Sequence, residues 1–405
     1  MKASSIPCSL FILSILACGS PPQDPPPEPT SPENPLFVSP ADFDFSQNPR
    51  LLERLQENPH RYFRFTNVPF SVEVCRRYAE EIAAAPTLNL HGDAHVEQYA
   101  VTDLGRGMTD FDDSSLGPAH IDLLRFGASL LLACEQEGCV EDFSQLYGKF
   151  LQGYRLALEN PQARIPEPVL VRRKKEAFDF DPEGYYSFVE SSMEPVPEEE
   201  TAAVVEALTP YFEAMVADHP ELPPDFFQVQ RLGYLRLGVG SALDLKFLVR
   251  VRGLTEDPFD DAVLEVKQVR DISGIPCIIS DTSGDPLRVL RGHLRIAHQP
   301  FEYLGYARYR DRNFWAHAWV KNYSEIEIDE DFGSSEELAE VAFDVGWQFG
   351  LGHMKNLAEG LDRQLRRQQI EFVDAQAAAL EQGSREMAVL AREAWEQFRD
   401  ASTTP

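Results

Sequence analysis

Hydrophobic spacing divides the chain into a helical first half, a strand-rich middle and a helical end. Apolar side chains that recur every three or four residues predict helices. The helices predicted in this way cover residues 51–58, 72–84, 121–134, 143–159, 198–217, 287–297, 335–357, 361–380 and 385–398. Pro210 lies inside the 198–217 stretch, where we expect it to kink or break the helix. Ser334 or Ser335 is expected to cap the helix at 335–357.

The period changes to the two-residue alternation of half-buried strands after residue 227. The strands predicted in this way cover residues 228–239, 245–252, 262–270, 303–309 and 314–320. Between the first two lie Gly238, Gly240 and Ser241, and glycines at a strand reversal let backbone N–H groups approach a ligand closely. A plain hairpin turn has the same pattern, so both interpretations stay open.

Lys267 occupies one face of the third predicted strand, together with Val263 and Val269. A lysine among valines needs an anionic partner if that face is buried. It faces water if the face is exposed.

Histidines and carboxylates are concentrated between residues 89 and 113. Apolar runs at 98–102 and 108–111 flank a glycine-containing turn, which predicts a β-hairpin. Because neighbouring strands lie about 4.8 Å apart, Gln98 would lie beside residues 110–112, with Asp93 at the foot of the hairpin. Acidic groups gathered at strand ends indicate a bound cation or a reacting group.

Composition limits the classes of protein to which the chain can belong. With 405 residues, 43% of them hydrophobic, it can bury a large core, and its length favours two domains or one two-lobed domain. A net charge of −29 repels nucleic acid and anionic lipid, so we expect no nucleic-acid partner. The oligomeric state does not follow from the sequence.

The first residues are typical of a bacterial lipoprotein. Residues 1–17 contain Lys2 and the apolar run 10–16, and Cys18 follows in a stretch that resembles a lipobox. We expect residues 1–17 to be a signal peptide and Cys18 to be lipidated, anchoring the protein in the cell envelope. An ordinary signal peptide or a misread start stays open. Residues 18–48 are rich in proline and are expected to form an extended tether, with the fold beginning near Pro49.

Of the later cysteines, Cys134 and Cys139 could pair in an oxidising compartment, because Gly138 allows a turn between them. Otherwise the four later cysteines, Cys75, Cys134, Cys139 and Cys277, are ordinary buried residues of a core of this size. No C-x-x-C pattern occurs, so a structural zinc site is not expected.

Several motifs in a fixed order resemble the bacterial family called domain of unknown function 2252, over about residues 58–357. The motifs that carry the resemblance are Asn58–Arg64, Gly92–Tyr99, Asp110–Asp113, Gly117–Leu123, Leu237–Ser241 and Val266–Lys267. That family is in turn similar to the aminoglycoside phosphotransferase and protein-kinase-like superfamily. The superfamily's H-G-D-x-x-x-x-N loop resembles His91–Gln98, its metal-binding Asp-Phe resembles Asp110–Phe111, and its buried Asp-Leu resembles Asp122–Leu123.

The resemblance implies an α+β, two-lobed, protein-kinase-like fold. The catalytic-loop half precedes the glycine turn and the lysine, so the fold would be circularly permuted. The expected parts are a helical lobe with the catalytic-loop-like hairpin (49–225), an antiparallel sheet lobe (226–325) and C-terminal helices on the helical lobe (326–405).

The resemblance also implies residue roles. Asp93 would accept the proton of an acceptor hydroxyl, while Asp110, with Gln98 and Asp112, would hold Mg²⁺. Nucleotide phosphates would bind Lys267 beneath Gly238, Gly240 and Ser241. His91 and Asp122 would support the loop. If so, the Lys267 amine lies within several ångströms of the Asp110 carboxylate, across a cleft roofed by the glycine turn.

Two departures from the superfamily pattern bear on this interpretation. Gln98 replaces the metal-binding asparagine, and Arg291 stands where an acid would partner the nucleotide lysine, for which Glu265 could substitute. The space outside the inner membrane also holds little ATP.

Three functions follow from the sequence. The first is a membrane-anchored, metal-dependent phosphotransferase that moves phosphate from a nucleotide to a hydroxyl acceptor. The second is a catalytically degenerate protein that only binds a small molecule or nucleotide. The third is a metal-dependent hydrolase using His91, Asp93, His95 and His120, because imidazole and carboxylate suit zinc.

Overall fold

A computed structural model of the chain describes residues 34–236, 244–279, 284–357, 360 and 362–403. The expected signal peptide, Cys18 and the glycine-turn residues Gly238, Gly240 and Ser241 lie outside these residues. Residues 34–405 form one compact unit, and the fold is α+β, as expected.

Helices provide most of the secondary structure in the described residues. The α-helices are α1 (Pro49–Glu57), α2 (Pro59–Phe65), α3 (Asn67–Arg77), α4 (Ala79–Ala83), α5 (His120–Glu137), α6 (Phe143–Glu159), α7 (Val169–Ala177), α8 (Pro182–Ser191), α9 (Glu198–Asp218), α10 (Pro286–Ile296), α11 (Ile328–Asp331), α12 (Ser335–Gly352) and α13 (Asp362–Thr403).

The described strands form three antiparallel sheets. The strands are β1 (Leu88–Leu90), β2 (Tyr99–Thr102), β3 (Arg106–Met108), β4 (Ser115–Gly117), β5 (Met193–Glu194), β6 (Val229–Leu235), β7 (Lys246–Val251), β8 (Ala262–Gln268), β9 (Gly305–Tyr309), β10 (Arg312–Ala318) and β11 (Tyr323–Glu325). The largest sheet has the order β5-β6-β7-β8-β10-β9, and the smaller ones are β1-β4 and β11-β2-β3. The hairpin predicted from 98–111 is confirmed, because β2 pairs with β3.

The main core consists of packed helices. Helix α5 is buried along most of its length, since apolar side chains occupy nearly every position from Ile121 to Cys134. Helices α6 and α12 approach each other so closely that a Cβ at Gly153 or Gly346 would overlap the facing backbone carbonyl. The C-terminal helix α13 packs on α5 and α6.

The largest sheet has a second core on one face. Leu264 and Val266 of β8 point to the same side and pack with Leu208 and Tyr211 of α9. Helix α8 packs on the opposite face. Both helices precede residue 226, so the structure associated with the sheet starts near Pro182 rather than at the expected lobe boundary.

The boundaries differ from the sequence predictions at three places. Helix α9 runs through Pro210, whose exposed position lets water reach the carbonyl that loses its N–H partner. Helix α13 is continuous where two helices are predicted, and within it Gly383 packs so close to the Tyr78 hydroxyl that a Cβ would not fit. The fold begins before Pro49, since Leu36 is fully buried in the main core.

The disulfide expectation is wrong. Cys75 of α3 is bonded to Cys277, while Cys134 and Cys139 are free and buried. Because Cys277 lies between β8 and α10, the bond joins the helical core to the chain that leaves the sheet.

Candidate functional site

The predicted partners Lys267 and Asp110 are in contact. The Lys267 amine lies 2.8 Å from Asp110 Oδ1 and 2.6 Å from Asp112 Oδ2. Lys267 comes from the largest sheet, and both aspartates come from the segment that follows the β2–β3 hairpin. The expected distance between the two side chains is therefore met, and Lys267 is a buried, paired lysine rather than a solvent-facing one. The glycine turn that is expected to roof them lies outside the described residues.

Sheet register determines which side chains surround Lys267. Lys246 of β7 and Trp315 of β10 are its direct cross-strand partners, so all three share one face. The Trp315 indole N–H donates a hydrogen bond of 2.6 Å to Asp112 Oδ1. Asp112 is thus held by a lysine and an indole from two neighbouring strands.

Backbone geometry turns Asp110 toward the lysine. Its φ is +54°, in the left-handed region, which aspartate tolerates better than most residues. The Asp110 side chain keeps about 33% of its surface exposed, whereas that of Asp112 keeps 5%. Asp110 is therefore the carboxylate of this pair that solvent or a ligand can reach more easily.

Burial and close charges shift the pKa values of all three groups. Burial by itself would lower the pKa of Lys267, but the two carboxylates outweigh it and raise that pKa well above its usual value. Burial and the neighbouring Asp110 carboxylate raise the pKa of Asp112 to about 8. For Asp110, the amine of Lys267 overcomes the effect of burial and holds the pKa well below its usual range. The pKa values of the two aspartates therefore move in opposite directions, so Asp112 is the carboxyl of the pair that binds a proton more readily.

Arginines enclose one end of this cluster. Arg270 donates to Asp244 Oδ2 at 2.7 Å and to Asp113 Oδ2 at 3.1 Å. Arg288 of α10 donates to the backbone carbonyl of Asp112 at 2.6 Å. The cation that α10 brings to the site is therefore Arg288, while Arg291 is exposed.

The expected loop support comes from Asp122. Its carboxylate accepts hydrogen bonds from the backbone N–H of His91 at 2.7 Å and of Gly92 at 2.8 Å. His353 Nε2 lies 3.0 Å from the same carboxylate. The His91 ring itself lies 2.8 Å from the Thr109 carbonyl, so it joins the loop to the segment leading to Asp110.

Asp93, the expected proton acceptor, is bound by an arginine. Arg125 Nη2 and Nε lie 2.5 and 2.7 Å from Asp93 Oδ1. Arg125 is fully buried, and its guanidinium also lies 4.2 Å from the centre of the Phe63 ring. Two charge-assisted contacts to one oxygen fix the Asp93 carboxylate and place a compensating positive charge beside it. The sequence analysis did not single out Arg125, although a lone arginine inside the apolar 121–134 helix was a signal that a buried anion is nearby.

The arrangement of oxygen donors bears on metal binding. Among residues 34–236 and the other described ranges, no group of three or more histidine, cysteine, aspartate or glutamate side chains is placed to hold a metal ion. Magnesium commonly binds through one or two carboxylates together with substrate phosphates. Asp110 and Asp112 fit that pattern, and buried Gln98 belongs to the turn that leads into β2.

The groups proposed for a hydrolase do not form a metal-holding set in the described part of the chain, although the ring of His91 lies 3.3 Å from the Asp93 backbone N–H. His95 is buried, with Nε2 4.0 Å from Asp93, and burial keeps its pKa well below the usual value. His120 packs instead against the rings of Tyr78 and Phe372. We therefore do not carry the hydrolase interpretation further.

Comparison with protein families gives one match. A family model described as an uncharacterized protein conserved in bacteria, DUF2252, matches residues 48–176 and 170–401. The chain belongs to the DUF2252 family. The first matched segment contains Asp110 and Asp112, and the second contains Lys267, so the family model covers both sides of the cluster. No curated protein and no solved structure matches the chain.

A cavity of about 430 Å³ lies next to the cluster and opens to solvent. It is lined in large part by the β2–β3 hairpin, residues 260–263, residues 297–303 and residues 318–321, and it reaches Thr109, the neighbour of Asp110, without including Lys267. Of the helices in the described part of the chain, none is long and apolar enough to cross a bilayer.

Proposed function

We propose that this DUF2252 protein is a metal-dependent phosphotransferase with a circularly permuted, protein-kinase-like fold. The observation that carries the proposal is the contact between Lys267 and the Asp110–Asp112 pair. Lys267 and Asp110 are 157 residues apart in sequence. An amine and two carboxylates at one point supply both charges that a magnesium-bound phosphate group requires.

The order of elements supports the kinase-like part of the proposal. In protein kinases the glycine-rich loop precedes the lysine, which lies on the third strand, and a following helix carries the lysine's glutamate partner. Here β6 and β7 flank the predicted glycine turn, Lys267 lies on the adjacent strand β8, and α10 follows. This protein departs from the kinase pattern because the residue of α10 that contacts the site is Arg288 rather than an acid. The carboxylate that pairs with Lys267 comes instead from Asp112.

Each residue would act mainly by binding charge. Lys267 would neutralise phosphate oxygens, and Asp110 with Asp112 would hold Mg²⁺, with Gln98 as a further oxygen donor. When bound, the metal supplies positive charge that stabilises the phosphate oxygens. The acceptor oxygen would bond to the terminal phosphorus as the bond from phosphorus to the leaving phosphate oxygen breaks. The hydroxyl proton would go to a carboxylate, for which Asp93 is the candidate implied by the family resemblance.

We also propose that lipidated Cys18 holds the protein at a bacterial membrane through the proline-rich tether. The support is the sequence of residues 1–48 alone. Mass spectrometry of the protein from its native membrane should find Cys18 acylated, and recovery of an unmodified soluble chain would contradict this part of the proposal.

A metal and phosphate panel read by melting temperature tests the proposed site. Ligands with a triphosphate, including ATP and GTP, should raise the melting temperature only with Mg²⁺. Asp110→Asn should abolish the shift, and asparagine is chosen because it tolerates the positive φ of this position. Asp311→Asn, at a fully exposed aspartate, is the matched control. No Mg²⁺-dependent shift with any phosphate ligand would refute the proposal.

A second candidate, binding without catalysis, is favoured by the ion pair between Asp93 and Arg125. Both guanidinium nitrogens contact Asp93 Oδ1, so this oxygen is already engaged and less available to an acceptor hydroxyl. If the protein only binds, the ligand-induced stabilisation will occur without any release of phosphate or phosphorylated product. Detection of either product, lost in Asp110→Asn, would exclude this second candidate.

A further inference from the structure

Asp93 is poorly placed to take a proton from an acceptor hydroxyl. Its Oδ1 atom is contacted by both Nε and Nη2 of Arg125, and its Oδ2 atom lies 4.0 Å from His95 Nε2. The residue keeps only 5% of its surface exposed. A general base must lie within hydrogen-bond reach of the proton that it takes, so a more open carboxylate suits this role better.

Such a carboxylate lies beside the cluster, at Glu325. Glu325 is exposed, whereas the next residue, Ile326, is buried. Its strand, β11, pairs with β2, the first strand of the hairpin that leads to Asp110, and Glu325 lies directly opposite Ala100. The small sheet therefore holds Glu325 in a fixed place at the hairpin.

A tyrosine hydroxyl connects Glu325 to the segment that carries Asp110. The Tyr323 hydroxyl donates a hydrogen bond of 2.9 Å to Glu325 Oε1 and lies 3.1 Å from Thr109 Oγ1. Thr109 is the residue before Asp110, and it also lines the cavity next to the cluster. One tyrosine thus fixes Glu325 beside the carboxylate that is proposed to hold Mg²⁺.

Arg64 connects Glu325 to Asp93. Its Nη1 atom donates to Glu97 Oε2 at 2.6 Å. Burial by itself would lower the pKa of Arg64, but the nearby charges of Glu97, Glu325 and Asp93 outweigh it and raise that pKa. Three carboxylates therefore lie within electrostatic reach of one guanidinium, and Glu325 is the exposed one among them. Arg64 belongs to the Asn58–Arg64 motif, to which the proposed function assigns no role.

The surroundings of Glu325 also favour proton uptake. Protein atoms lie around its carboxyl group although the residue is open to solvent, and this partial burial raises its pKa. Arg64 and the Tyr323 hydroxyl act against the rise, while the negative charges of Asp110 and Glu97 add to it. A carboxylate with a raised pKa binds a proton more strongly, which makes it a better general base.

We propose that Glu325 is the carboxylate that accepts the proton of the acceptor hydroxyl, while Asp93 and Arg125 position the loop. The inference rests on the proposed phosphotransferase function and assigns its base. The acceptor oxygen bonds to the terminal phosphorus of the donor, and the bond from that phosphorus to the leaving phosphate oxygen breaks. The hydroxyl proton passes to Glu325, which returns it to solvent.

Phosphate release with water as the acceptor tests this assignment on the full-length protein. ATP and sodium tripolyphosphate are the donors, each with a fixed excess of Mg²⁺. Glu325→Gln keeps an oxygen for the Tyr323 hydrogen bond but cannot take the proton, so kcat should fall about a hundredfold or more while KM stays unchanged. Glu330→Gln, at an exposed glutamate of α11, is the matched control and should keep the rate of the unmodified protein.

Added formate distinguishes a proton acceptor from a structural residue. Glu325→Ala should lose the same activity as Glu325→Gln, and formate should restore part of it in proportion to its concentration, because it supplies the missing carboxylate. Glu330→Ala should not respond to formate.

Two sets of results would overturn the inference. If kcat of Glu325→Gln stays within tenfold of the unmodified protein, or formate restores nothing to Glu325→Ala, Glu325 is not the base and the proposed function still stands. The same holds if Glu325→Gln loses Mg²⁺-dependent binding of tripolyphosphate in calorimetry, because Glu325 would then hold the metal. If the unmodified protein releases no phosphate from either donor, the inference fails together with the proposed phosphotransferase function.

Discussion

Replacing Lys267 with methionine is the most direct test of the charge cluster. Methionine keeps the length and apolar stem of lysine but removes the amine that contacts Asp110 at 2.8 Å and Asp112 at 2.6 Å. Removing one partner of a buried ion pair costs about 3–5 kcal/mol, because the other charge stays buried without compensation. Asp110 is partly exposed, so we expect a loss near the lower limit, about 3 kcal/mol, at pH 8.

The loss should depend on pH. Without the lysine, both aspartates are expected to have folded-state pKa values above those of the unfolded chain, and Asp112 already has a pKa of about 8 with the lysine present. A carboxyl with a raised folded-state pKa contributes stability below its unfolded pKa and loses it as pH rises through the folded one. The deficit of Lys267→Met should therefore grow between pH 5 and pH 8.

Urea unfolding followed by tryptophan fluorescence measures this deficit, provided that the m-value is unchanged. Lys149→Met is the matched control, because Lys149 is exposed and its amine donates a hydrogen bond to the neutral side chain of Gln152. A deficit below about 1 kcal/mol, in the range of surface ion pairs, would refute the reasoning. So would a deficit that is the same at pH 5 and pH 8.

Three further predictions concern the site and the fold. Magnesium–tripolyphosphate binding measured by calorimetry should tighten between pH 7 and pH 9, because a metal competes with the proton on Asp112 at its pKa of about 8; a flat profile would contradict this. Gly346→Ala should lower the free energy of unfolding by about 1–3 kcal/mol, because its Cβ would overlap α6. Gly148→Ala, with nothing within 4 Å of the added Cβ, should instead raise the free energy of unfolding by up to about 1 kcal/mol. Equal effects of the two variants in denaturant unfolding would count against the close contact. Replacing Cys75 and Cys277 with serine should lower the free energy of unfolding by about 2–5 kcal/mol, since the bond closes a loop with a separation of 202 residues; an unchanged unfolding midpoint would argue against the bond.

The pairing of Asp93 with Arg125 links the two proposed functions. Arg125 lies on α5 and contacts Asp93 from inside the helical core, so the pair orients the loop that begins at His91. A positioned carboxylate can still orient an acceptor hydroxyl through a hydrogen bond. The assay for released phosphate and phosphorylated product, run on the unmodified protein and on Asp110→Asn, decides whether the protein catalyses phosphate transfer.

Local pattern determined much of the secondary structure. The helix predicted over 143–159 is α6 at both ends, because its apolar positions recur at helical spacing and no proline interrupts it. The 98–111 hairpin follows from two apolar runs around a tight turn, and its register follows from the turn length. These features depend on interactions among neighbouring residues, which the sequence displays directly.

Tertiary structure decided the composition of the site. Arg125 at Asp93, Trp315 at Asp112 and α8 over the Lys267 face each join parts of the chain that are distant in sequence. Their identity depends on how sheets and helices pack, and spacing along one chain carries no record of that packing. The disulfide shows the same limit: the sequence favoured the nearby pair Cys134 and Cys139, while the fold brings Cys75 to Cys277.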